Sequence, residues 1–74
     1  MNFESPRRRI ERIAQPIIEQ LFGSSKFSLP VGDQGNPMWV LKIVGKPVME
    51  IEIDVEKTDQ EIDSLIRSEI GRQS

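Results

Sequence analysis

Glu50, Glu52 and Asp54 alternate along one short stretch of the chain, and paired carboxylates are a residue type that can do acid–base work. On an extended strand, neighbours on the same face stand ~6.6–6.8 Å apart. That separation falls within the range used by the carboxylate pair of inverting glycosidases. The other ingredients of catalysis are missing. The 74 residues include no histidine, cysteine or tyrosine, which removes the commonest acid, base and nucleophile. Neither of the glycine-rich phosphate-binding patterns, GxGxxG or GxxxxGK followed by serine or threonine, occurs. A chain this short also has little volume for a deep pocket. The three carboxylates therefore read as the polar side of an amphipathic strand, a candidate acidic interaction face, and no enzymatic activity is expected.

Metal chemistry is equally poorly served. Asp33-Gln34-Gly35-Asn36 has part of the composition of a calcium loop, but the further carboxylates and the closing bidentate glutamate are lacking. Without cysteine or histidine a zinc site would need carboxylates alone. No metal and no cofactor is expected, and the segment reads as a turn.

The arginines carry more information. Arg7, Arg8, Arg9 and Arg12 are four of the ten cationic residues, placed where a first helix should begin. Positive charge at a helix N-terminus opposes the macrodipole, so this placement suggests a use beyond helix stability. Guanidinium groups bind phosphate or carboxylate in bidentate fashion, which makes these residues the candidates for contact with nucleic acid (there joined by Lys26), an anionic lipid surface or an acidic protein. A plainer account also exists: Glu4 precedes Arg8 by four residues and Glu11 follows Arg7 by four, as on an ordinary solvated helix face. Further along, Glu50, Glu52, Asp54, Glu56, Asp59, Glu61 and Asp63 fall within fourteen residues. A basic tip and an acidic flank allow head-to-tail association or two separate surfaces.

Five elements would position these groups. Ser5-Pro6 supplies a helix cap and a first-turn proline. Ile10, Ile13, Ala14, Ile17, Ile18 and Leu21 then mark one apolar stripe. Gly23 should close this helix in a left-handed conformation. Pro16 predicts a kink or two abutting pieces. Phe27, Leu29 and Val31 alternate with Ser28 and Pro30 as a short strand, an edge strand because of the proline. Met38–Val44 and Val48–Val55 read as two more strands around Gly45-Lys46-Pro47.

The register of that hairpin can be derived. A two-residue turn would set Trp39 and Leu41 opposite Glu52 and Glu50. One residue of slip instead pairs Trp39, Leu41 and Ile43 with Ile53, Ile51 and Met49, and Lys42 with Glu50. Only the second register makes a clean apolar face, with Trp39 in the core, so an odd-length loop or a bulge is predicted near Gly45. Thr58-Asp59-Gln60-Glu61 is a capping box. Ile62, Leu65, Ile66 and Ile70 follow as a second helical stripe that Gly71 should end.

The order is α-β-β-β-α. The expected fold is a small α+β domain spanning residues 1–74, ordered from about 5 to 71. Two helices should pack on one face of a three-stranded antiparallel sheet and bury all the apolar stripes together. This order and length resemble the double-stranded-RNA-binding domain. That family places a lysine-rich segment at the start of its second helix to grip phosphates, whereas this chain has Thr58-Asp59-Gln60-Glu61 there, which would repel them. The resemblance therefore concerns the order of elements and implies no function.

With a net charge of −2 and a pI near 5.0, the chain is unlike a dedicated nucleic-acid binder. The expected function is a protein-interaction module, such as a regulatory subunit, inhibitor or adaptor. Nucleic-acid binding through the arginines is the alternative. Small domains without disulfides or metals sit near the edge of stability, which favours a protein partner or a homodimer. No apolar run is long enough to span a membrane or act as a signal peptide, so a cytoplasmic location is the default.

Overall fold

The computed structural model describes residues 4–73, which form a single helix–strand–strand–strand–helix unit. Helix α1 covers Pro6–Phe22. Its cap is Ser5, whose Oγ accepts a hydrogen bond from the Arg8 backbone N–H at 3.2 Å, with Pro6 in the first turn. Ile10, Ile13, Ala14, Ile17 and Ile18 are buried as the spacing predicts. Leu21 is not: it is 49% exposed, and Phe22, four residues after Ile18, turns toward the core in its place. The helix runs unbroken through Pro16 instead of dividing into two pieces. Pro16 and Arg12 are both exposed, so water can serve the Arg12 carbonyl that the proline leaves without a donor. Gly23 closes the helix with φ +66° and donates its N–H to the Glu19 carbonyl at 3.0 Å. Its ψ of −141° lies outside the left-handed helical well, in a region that only glycine occupies readily.

Strands β1 (Phe27–Val31), β2 (Met38–Val44) and β3 (Met49–Asp54) form an antiparallel sheet in the order β1-β2-β3. Trp39, Leu41 and Ile43 pair with Ile53, Ile51 and Met49, and Lys42 pairs with Glu50. This is the register required for an apolar face. The Ile43–Met49 pair encloses the five residues 44–48, the predicted odd-length connection. Strand β3 starts at Met49 and stops at Asp54, one residue inside each expected end, and leaves Val48 exposed.

Helix α2 (Asp59–Gln73) begins with the capping box in place. The Glu61 N–H donates to Thr58 Oγ1 at 3.2 Å, and the Thr58 N–H donates to Glu61 Oε1 at 3.1 Å. The helix passes through Gly71, where it was expected to stop. Its last turn is tied to β3 because Gln73 Nε2 donates to the Glu50 carbonyl at 3.1 Å. Ile62, Ile66 and Ile70 are buried and Leu65 is partly so.

Both helices pack on one face of the sheet, α1 over β1 and α2 over β3, and they also touch each other. Ile10, Ile17, Ile18, Leu41, Ile43, Ile51, Ile53, Ile62 and Ile66 are fully buried between the two layers. One stripe departs from the expected packing. On β1 it is Ser28 and Pro30 that face the helices, and Phe27, Leu29 and Val31 face away. Only residues 23–26 separate α1 from β1, so the helix lies directly over its own strand, and small inward side chains permit that approach. Ser28 Oγ donates to Gln15 Oε1 of α1 at 3.1 Å.

Trp39 is buried, as expected, and its Nε1 donates to the Asn36 carbonyl at 3.1 Å. Gly32 lies against the indole. A Cβ at that position would sit 2.2 Å from Trp39 Cδ2. No helix among the described residues is long and apolar enough to cross a membrane. We expect Gly32→Ala to destabilise the fold by about 1–3 kcal/mol, the usual cost of overpacking. Urea unfolding followed by the fluorescence of the single tryptophan would measure this.

Candidate functional site

The arginine cluster does not form one free cationic surface. Arg9 reaches from the first turns of α1 to the turn joining β3 to α2. Its guanidinium donates to the carbonyls of Val55 and Lys57, and Nε donates to Asp59 Oδ1 at 2.6 Å. Its side chain is only 22% exposed. Arg12 grips Glu4 in bidentate fashion at 2.7 and 2.8 Å and also donates to Asp59 Oδ2 at 2.9 Å. Asp59 occupies the first turn of α2, where the macrodipole favours negative charge. The arginines thus stand against the dipole of their own helix while serving a carboxylate placed well for the other.

The proton equilibria follow this geometry. Hydrogen bonds from Arg12, and then from Arg9, hold the Asp59 carboxyl below its ordinary value of 3.8. The Arg12 hydrogen bonds likewise lower Glu4, and these two partners raise Arg12 further above its already high value.

The remaining two arginines are outside this network. Arg7 pairs with Glu11 at 3.4 Å, one helical turn along and well exposed. Such pairs contribute little. The Arg8 side chain has no ion-pair or hydrogen-bond partner among the described residues. It borders a shallow groove between α1 and the β1 edge, together with Gln15 and Phe27. Lys26 stands over the Phe22 ring, its Nζ 4.2 Å from the centroid.

The acidic residues of β3 point away from the helices. Glu50 and Glu52 are exposed, while Asp54 is half-buried and accepts the Glu56 N–H at 2.9 Å. Among the described residues no group of three or more carboxylates comes together as a metal site. Neither Glu50 nor Glu52 enters an ion pair or a side-chain hydrogen bond among those residues, even though Lys42 lies across the ladder from Glu50.

These carboxylates share their face with a surface that periodicity alone did not reveal. Directly paired residues project to the same side of a sheet. The outer face therefore holds Phe27 beside Val44, Leu29 beside Lys42 and Glu50, and Val31 beside Val40 and Glu52, with Met38 beside Asp54 at the end. It divides into a lane over β1 and β2 that is apolar except for Lys42 at the centre of β2, and an acidic lane over β3. Phe27, Leu29, Val31 and Met38 are 54, 37, 46 and 46% exposed. The alternation of β1 was visible in the sequence, but its phase was not. The signal that bears on it is the pair of small inward residues, Ser28 and Pro30, next to a four-residue link from a helix.

Arg9→Ala is expected to destabilise the domain by about 1–3 kcal/mol, because hydrogen bonds from a charged donor are lost at a partly buried turn. Arg7→Ala and Arg8→Ala should leave the denaturation midpoint nearly unchanged. A carboxylate whose folded pKa is depressed adds stability above its unfolded pKa and loses it as pH falls through the folded value. Acid unfolding curves taken below pH 3.8 should therefore show a shallower pH dependence for Asp59→Asn than for wild type. The exposure of the Asp59 network and solvent screening will keep that difference modest. Comparison with protein-family models, with curated proteins and with solved structures finds no match to this chain.

Proposed function

We propose that this chain is a non-catalytic protein-interaction module, a small regulatory or adaptor subunit, and that a partner seats on the outer face of its sheet. The observation that carries this reading is the run of exposed Phe27, Leu29, Val31 and Met38 across two adjacent strands. Only 36% of the chain is hydrophobic, yet several of its large apolar side chains face solvent side by side. Contiguous apolar patches with a polar rim are characteristic of interaction sites. Two of the four arginines are occupied inside the fold, which leaves Arg8 as the cation best placed to meet an outside anion and favours the protein partner over nucleic acid.

The test is a capture experiment from native extract with tagged protein, run with and without nuclease and at low and high salt. Two baits are compared, wild type and the triple variant Phe27→Ser, Leu29→Ser, Val31→Ser. A stoichiometric protein should survive both treatments on wild type and fall by about tenfold or more on the variant, as expected when interface anchors are removed. Equal capture by the two baits would move the site elsewhere. Recovery of nucleic acid that disappears at high salt and requires Arg8 would replace the reading with phosphate binding.

A further inference from the structure

We infer that the occupant of the outer sheet face is a basic amphipathic α-helix of a protein partner. Its apolar side would lie on Phe27, Leu29, Val31 and Val40, and its cationic flank on Glu50 and Glu52. This rests on the reading that the outer face is the binding surface and specifies its ligand.

Charge selects the partner. Glu50 and Glu52 lie beside the apolar lane without an ion pair or side-chain hydrogen bond among the described residues. A ligand broad enough to cover the lane would strip water from them, at a cost unless it supplies positive charge. Lys42, opposite Glu50, already places a cation near that carboxylate, whereas Glu52 lies opposite Val40. The stronger contact is therefore expected at Glu52.

Shape selects a helix. Adjacent strands are ~4.7–4.9 Å apart and a helix with its side chains is ~10–12 Å wide. One helix laid over β1 and β2 thus covers the apolar lane together with Lys42, whose aliphatic stem can lie beneath it while the ammonium reaches toward Glu50, and brings one flank above β3. The opposite face of the sheet is already covered by helices, so a third would complete a helix–sheet–helix sandwich. Strand addition at the β1 edge fits less well, since β1 has only five residues and includes Pro30, features that blunt an edge.

Symmetry argues against a second copy. In a two-fold dimer the same face meets itself. With the axis along the strands, full overlap sets the carboxylates of β3 over the apolar β1 of the other copy. With the axis across the strands, full overlap sets β3 against β3, carboxylate on carboxylate. Only partial overlap of the apolar lanes avoids both.

The probe is a designed helical peptide of leucine and lysine, about eighteen residues long so that it can hold a helix. Two controls accompany it: the same peptide with glutamate for lysine, and a leucine–lysine scramble without a helical stripe. Amide NMR spectra of the full chain report where each binds. The lysine helix should shift Phe27, Leu29, Val31, Val40 and Glu52, and bind about tenfold more tightly than either control, a factor that corresponds to ~1.4 kcal/mol. Glu50→Gln with Glu52→Gln should remove most of that advantage, with Glu52→Gln alone having the larger single effect.

Equal binding of the lysine and glutamate helices on the outer face would overturn the basic partner and leave the apolar binding surface standing. Shifts confined to the helices, or unchanged affinity in the glutamine variants, would overturn the inference. So would a dimer in gel filtration that Leu29→Asp dissociates. Failure of both the peptides and the serine-variant capture test would remove the outer face as a site altogether.

Discussion

Side chains on a strand alternate between two faces, so the pairing of Leu41 with Ile51 decides the character of both sides of this sheet. In that register Trp39, Leu41, Ile43, Met49, Ile51 and Ile53 all face the helices, and the fully buried isoleucines of α1 and α2 close over them. A slip of one residue on β3 would bring Glu50 and Glu52 into the core, where each unpaired carboxylate would cost several kcal/mol. The odd-length connection from Ile43 to Met49 is the local device that keeps the register. The same parity that makes the inner face apolar puts the β3 carboxylates and Lys42 on the outer one.

The helices are held over the sheet by apolar packing and brought together at one end by charge. Arg9 and Arg12 converge on Asp59 from α1, and Arg9 also satisfies carbonyls of the turn that leads into α2. Residues fifty apart in the chain, Arg9 and Asp59, thereby connect the N-terminal ends of the two helices. Each helix end alone looks unbalanced, α1 with basic residues in its first turns and α2 with acidic ones. Where they meet, Arg9 and Arg12 offset the charge of Asp59.

The outer face follows from the same economy of a small fold. Two helices cover one side of the three-stranded sheet, and no described element covers the other. On that second side β3 carries polar residues, while β1 and part of β2 present large apolar groups. The contrast between lanes on a single face gives the surface a direction, and in the proposed function that direction is the basis for choosing one partner chemistry over another.

Much of the architecture could be read from residue order because the relevant rules are local. The Ser5 and Thr58 caps, the helical stripes, the order of elements and the β2–β3 register each depend on spacings within a few residues or across one hairpin. The ends of elements were less legible: Gly71 is tolerated inside α2, and Pro16 inside α1, because neighbouring contacts or solvent offset their local cost. Two features bearing on function needed the tertiary structure. The basic run Arg7, Arg8, Arg9 and Arg12 looks like one cluster in sequence, but the approach of the β3–α2 turn draws Arg9 and Arg12 into contacts across the fold and leaves Arg7 and Arg8 on the exposed face of α1. The strand Phe27–Val31 alternates in either phase, and only the close packing of α1 on Ser28 and Pro30 turns Phe27, Leu29 and Val31 to the outside. Periodicity determines which residues share a face. Which face is buried depends on what packs against it, a contact between segments distant in the sequence.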